Sequence, residues 1–165
     1  MKYLRAIVSW LITGWMCYIF LGSLPYKFTG HPHTQHIFGT IGDWLGGFAG
    51  PAVGDLFRNF GAFVVGGFEL LTAIVLLLPI LLWVLSKMTR SFFGVTRRRF
   101  HMIGGLMASA VMAGAVFFHL VSPLGIDVNN DGGSLFYAAL SILILGLVLF
   151  GINQGWSEEE RYSQI

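Results

Sequence analysis

The sequence predicts an all-α fold, an integral membrane four-helix bundle, on three observations. Of 165 residues, 55% are hydrophobic and only 11% charged, whereas a soluble domain carries roughly 25% charged residues. Four windows are long enough to cross a hydrocarbon core of about 30 Å, which takes about 20 apolar helical residues. Each window is continuously apolar rather than alternating, and lipid leaves a spanning backbone only helices or closed barrels.

The first window covers 6–24. Lys2 and Arg5 precede it as they would a signal peptide, but the run exceeds an h-region of roughly 7 to 15 residues and lacks a small-x-small cleavage site. It is expected to stay as a span, with Cys17 as a small packing residue inside it. The exterior loop 25–59 follows, too long for a bare connection, since structureless loops beyond about 12 to 15 residues are uncommon. Ile37, Phe38, Ile41, Trp44, Leu45 and Phe48 recur there at intervals of three and four, the stripe of an interfacial helix. Glycines at 39, 42, 46, 47, 50 and 54 weaken that helix, and Pro51 is expected to end it.

The second window covers 60–85 and the third 102–121. Ala62, Gly66 and Ala73 flank Glu69 at helical spacing, and Gly105, Ala108 and Ala115 lead to His119. Small residues allow close helix approach in lipid, so both polar residues are expected to face inward. The fourth window covers 134–152, after a loop whose Asp131 or Ser134 is placed to cap it. The chain reads as one membrane domain, with a cytoplasmic loop at 86–101 and a tail at 153–165.

Orientation follows the cations of short loops. Lys2, Arg5, Lys87, Arg90, Arg97, Arg98, Arg99 and Arg161 fall on one side, and only Lys27 and Arg58 on the other. Both termini are therefore expected to be cytoplasmic. The net charge of +2 is explained by topology and by a lipid bilayer as partner, with anionic lipid for "TRRR" at 96–99, and calls for no nucleic acid. Thiol-exchange, P-loop, dinucleotide and HExxH patterns are absent.

Glu69 is the most informative residue. A carboxylate near mid-membrane costs on the order of 2.5 to 3.5 kcal/mol, so it pairs, protonates or serves a pathway. Counted from residue 60 it lies nine residues deep, about 14 Å at 1.5 Å per residue. One reading is a neutral carboxyl bonded to a backbone carbonyl, Tyr18 or Thr13. The other is a ligand or proton site of Glu69 and His119, with Lys27 snorkelling at its rim.

Two loops carry metal-ligand residue types. His31, His33 and His36 suit zinc or copper, or form a solvated loop. Asp127, Asn129, Asp131 and Gly132 match the first half of a calcium loop, but Ala138 stands where the bidentate carboxylate belongs. Capping by Asp131 or Ser134 and a glycine turn explain that loop more cheaply than calcium does.

"YKFTGHPHTQHIFGTIG", "GFELLTAIVLLLP" and "AGAVFFHLVSPLGIDVNNDGGSLFYAAL" together resemble the DoxX-like four-helix membrane proteins of bacteria, over most of 26–140. Lys27, Glu69, His119, Asp131, Gly132 and Gly133 fall where that family has like residues; His33 and His36 depart from it. The resemblance implies a bacterial inner-membrane protein with a periplasm-facing polar pocket. It would bind a small quinone-like molecule or join a redox complex, since the family is named for a subunit of a thiosulfate:quinone oxidoreductase, and would not be catalytic alone. The alternatives are a small transporter or metal-handling protein using the histidine loop, and an assembly or anchoring subunit, either one able to form homo-oligomers.

Overall fold

The computed structural model describes residues 2–89 and 97–154, residue 2 by its backbone only. The expected roles of Arg90, Thr96, Arg161 and the tail from 155 onward lie outside those residues. Five helices follow one another: α1 (Lys2–Phe28), α2 (Pro32–Ala49), α3 (Pro51–Thr89), α4 (Arg97–Val121) and α5 (Ser134–Gln154). The described residues contain no strand. Four helices, α1, α3, α4 and α5, are long and apolar enough to cross a membrane, which makes the architecture that of a helical membrane bundle.

α3 is the long element. Its 39 residues reach about 58 Å at 1.5 Å per residue, roughly twice a hydrocarbon core. The reason lies at its start. Gly50 takes φ 97°, a conformation glycine adopts without penalty, and ends α2. Pro51 then opens α3 as its first residue, where proline costs no hydrogen bond. The expected loop thus contains α2 and the first nine residues of α3.

The glycines of this hairpin are its packing surface. A methyl on Gly54 would lie 2.5 Å from the Gly42 carbonyl oxygen and 2.9 Å from Gly46 Cα, and one on Gly42 would lie 2.7 Å from the Gly54 oxygen. α2 therefore lies backbone to backbone on the start of α3, closer than any side chain permits. Gly61 in turn gives way to the ring of Phe38.

Two cores result. The main one gathers Met16 and Phe20 from α1, Leu76 from α3, Met112 from α4, and Ile142 and Leu149 from α5. The second forms a roof at the α2 end, with Ile41, Leu124 and Val128 buried and Phe57 and Phe118 packed against them. α4 and α5 are pressed together at Gly105 and Gly146, where a methyl on either would lie 2.6 Å from the other's carbonyl oxygen, and Ser109 Oγ donates to the Leu143 carbonyl at 2.9 Å. Large apolar residues such as Leu11, Leu81 and Ile144 face outward, as a lipid-facing surface requires.

Candidate functional site

The polar residues of the α2 end come from three helices. On α1, Ser23 and Lys27 are one turn apart and share a face. On α3, Glu69 lies among Gly66, Thr72 and Ala73 on the buried side. Gly66 lets α1 approach: a methyl there would meet the Phe28 ring at 3.1 Å and Lys27 Cβ at 3.4 Å. Lys27 is thereby level with Gly66, and Glu69 sits within one turn of the end of α1.

Glu69 is 3% exposed, and its Oε2 takes two bonds. Lys27 Nζ donates to it at 2.7 Å and Ser23 Oγ at 2.7 Å. Lys27 also donates to Ser23 Oγ at 2.9 Å. The single Ser23 proton is shared between Glu69 and the Phe20 carbonyl at 2.8 Å, since a hydroxyl has one proton. The carboxylate is thus held by a cation and a hydroxyl, the condition under which a buried charge is tolerated. An ammonium has three N–H groups. One of them, and Oε1 of the carboxylate, stay outside the hydrogen bonds made among the described residues.

Neither sequence-level partner of a neutral Glu69 takes that part. Tyr18 is 72% exposed, and Thr13 Oγ1 is buried with no hydrogen-bond partner among the described residues.

His119 is buried as expected, but no hydrogen bond among the described residues joins it to Glu69. Its Nδ1 lies 2.7 Å from the Gly125 carbonyl, and because a carbonyl only accepts, Nδ1 carries the proton. The ring stands edge-on to Phe136, 5.6 Å between centroids. α3 and α4 run antiparallel with Gly104 against Leu76, so Glu69 and His119 are offset along the bundle by eight residues, about 12 Å. His119 fastens the loop that follows α4, above the Lys27–Glu69 pair.

The loop residues are also engaged. His31 precedes α2 and its Nδ1 accepts from the His33 backbone N–H at 3.3 Å; its ring lies edge-on to Tyr26 and His33. Asp131 Oδ1 accepts from the N–H groups of Val128 and Gly133, and Oδ2 from Ser134 Oγ and the Leu135 N–H. Four donors fill the roughly four lone-pair sites of a carboxylate, so this group caps α5 and its loop. Burial opposes ionisation of Asp131, but the four hydrogen bonds outweigh it and hold the carboxyl below its ordinary value. Asp127 Oδ1 accepts from the Gly132 N–H at 3.0 Å. Among the described residues no group of three or more His, Cys, Asp or Glu side chains is placed to hold a metal ion.

No protein-family model, curated protein or solved structure matches the chain. The chemistry available at Glu69 follows from its own atoms: an ionic pair that presents one N–H donor and one carboxylate oxygen side by side. Beside it, an apolar groove of about 180 Å³ runs between α1 and α3, lined by Leu21, Ala73, Ile74, Leu77, Leu78 and Leu81. Ala73 is one turn from Glu69 along α3, although Lys27, Ser23 and Glu69 are not among the residues that line the groove.

A second polar cluster, unforeseen in the sequence, closes the opposite end. Asn153 Nδ2 donates to Ser9 Oγ at 2.7 Å and to the Leu149 carbonyl at 2.8 Å, while His101 Nδ1 lies 3.1 Å from the same Ser9 oxygen. All three are buried, and the Trp10 ring stands edge-on to His101 at 4.4 Å. The cluster ties α1, α4 and α5 together. The signal was present: three polar residues within a turn or two of the expected span ends.

Proposed function

We infer that this chain is a multi-pass inner-membrane protein that binds a small amphipathic, quinone-like molecule at Lys27, Ser23 and Glu69. The site opens on the exterior face, with both termini cytoplasmic, α2 lying in the exterior interface and His119 bracing the loop above the site. The observation that carries this reading is an uncommitted donor and acceptor at Lys27 and Glu69, one helical turn along α3 from an apolar groove. A carbonyl of the ligand accepts from the Lys27 ammonium, a hydroxyl donates to Glu69 Oε1, and an apolar tail lies along Leu77 and Leu81. The DoxX-like resemblance points to the same class of molecule, and membership of that family is part of the proposal.

No group here is arranged as a nucleophile with its base, so the role is binding, or attachment to a redox complex, rather than catalysis by this chain alone. Titration of the purified protein in nanodiscs with a short-chain benzoquinone tests it. Saturable binding by the wild type that weakens at least tenfold in Glu69→Gln supports the site; equal binding by both proteins removes it.

A further inference from the structure

We propose that His33 and His36 form a two-imidazole site for a divalent transition ion of the copper, nickel and zinc class. The site does not include the Lys27–Glu69 pair and does not depend on what that pair binds. The two histidines stand three apart in the sequence, and α2 turns that spacing into adjacency. Residues i and i+3 of a helix share a face, with Cβ atoms about 5 to 6 Å apart. Side chains at this spacing converge on one metal in the Glu-x-x-His helices of di-iron carboxylate bundles.

The fold holds this face outward. Thr34, Phe38, Ile41 and Gly42 form the buried side of α2, while His33 and His36 are exposed on the other. The backbone contact between Gly42 and Gly54 seats α2 on α3, so both imidazoles project from a fixed helix rather than from a loop, as a well-defined ligand pair requires.

His31 is kept out of the site by its own hydrogen bond. Its Nδ1 accepts from the His33 backbone N–H at 3.3 Å, so that lone pair is spent on the cap of α2 and the neutral ring carries its proton on Nε2. Its ring serves as a wall instead, 5.0 Å from that of His33 with the planes at 87°, and limits how the His33 ring turns. The rings of His33 and His36 make no hydrogen bond among the described residues, and each keeps the lone pair that a neutral imidazole offers to copper, nickel or zinc. His101 and His119, the other two histidines, are buried, so a dissolved ion meets only α2. Among the described residues no three such side chains converge on an ion; two ligands make an open, exchangeable site whose remaining positions water fills. The first turn of α2 has no acidic side chain, so the ion is held by lone pairs rather than by charge. That selects against calcium and magnesium, which take oxygen ligands.

The test uses the full chain, free of any histidine tag, in nanodiscs of zwitterionic lipid. Copper(II) chloride is titrated at neutral pH and followed by electron paramagnetic resonance, whose nitrogen couplings count the coordinated imidazoles. One ion per chain with two imidazoles is expected, bound more tightly than nickel or zinc and released in acid, where protons take the lone pairs. His33→Ala and His36→Ala should each weaken binding by about tenfold or more and leave one imidazole. His31→Asn keeps a capping side chain at the start of α2 while removing the third imidazole, and should leave both couplings unchanged. Equal binding by a His33→Ala/His36→Ala double variant, a single imidazole in the wild type, loss of a coupling in His31→Asn, or competition by calcium overturns the proposal.

Discussion

Lys27 and Glu69, 42 positions apart in the chain, meet at 2.7 Å between Nζ and Oε2. Ser23 Oγ, one turn from Lys27, is bonded to both. The serine adds a hydrogen bond to a pair that remains closed without it. Ser23→Ala is therefore expected to cost about 1 kcal/mol, read as a small loss in thermal unfolding of the detergent-solubilised protein. A loss as large as that of Lys27→Met would show that the serine, not the ion pair, holds α1 on α3.

The hairpin of α2 on α3 makes a discriminating set of glycine substitutions. Gly42→Ala and Gly54→Ala set a methyl within 2.7 Å of a backbone oxygen, and a backbone cannot rotate away as a side chain can. Each is expected to cost about 1 to 3 kcal/mol as an overpacked contact. At Gly39 and Gly47 a methyl meets nothing within 4 Å, so alanine there is expected to be neutral or stabilising by up to about 1 kcal/mol, the helix-propensity difference. Proteolysis of the α2 segment reports the separation, and equal behaviour of all four variants would contradict the packing.

His119 donates from Nδ1 to the Gly125 carbonyl, and protonation of the ring adds a proton only at Nε2. The bond is expected to persist in both charge states. Nitrogen NMR of labelled histidine should show the Nδ1-protonated tautomer when the ring is neutral; the Nε2-protonated tautomer would refute the assignment. His119→Ala should loosen the loop after α4 by about 1 kcal/mol while leaving the Lys27–Glu69 pair in place.

Asp131 gives a pH dependence of known sign. Its carboxyl is held below the ordinary 3.8 by four hydrogen bonds that outweigh burial. The stability it adds is therefore complete above that ordinary value and is lost as the pH falls through the lower, folded one. Asp131→Ala is expected to destabilise by about 1 kcal/mol at neutral pH, as lost helix caps do. The difference between variant and wild type should vanish in strong acid. A gap in melting temperature that stays constant across the acid range would contradict this role.

The four apolar helices were readable from the sequence because burial in lipid leaves long unbroken hydrophobic runs. The inward placement of Glu69 was readable too, from Gly66 and Ala73 beside it. The lie of α2 along the start of α3 was not, since glycines 42, 46 and 54 look like helix breakers in a single chain. They become a packing surface only once two helices are laid together. Lys27 was placed at the rim and proves to be the direct partner; His119, equally conspicuous, is offset by two turns, a matter of helix register that no local pattern reveals. His101 and Asn153 escaped notice because each falls one residue outside an expected span, where a polar residue looks solvated. Ser9 is bonded to both, which turns three apparent end residues into one buried cluster.

A double-mutant cycle on Lys27→Met and Glu69→Gln measures the central claim most directly. Removing one partner of a buried pair leaves the other uncompensated, at a cost of about 3 to 5 kcal/mol, so each single variant is expected to unfold well below the wild type. The double variant should recover much of that loss, giving a coupling energy of about 2 kcal/mol or more. Single effects that simply add, with no coupling, would mean that these two residues do not form the site.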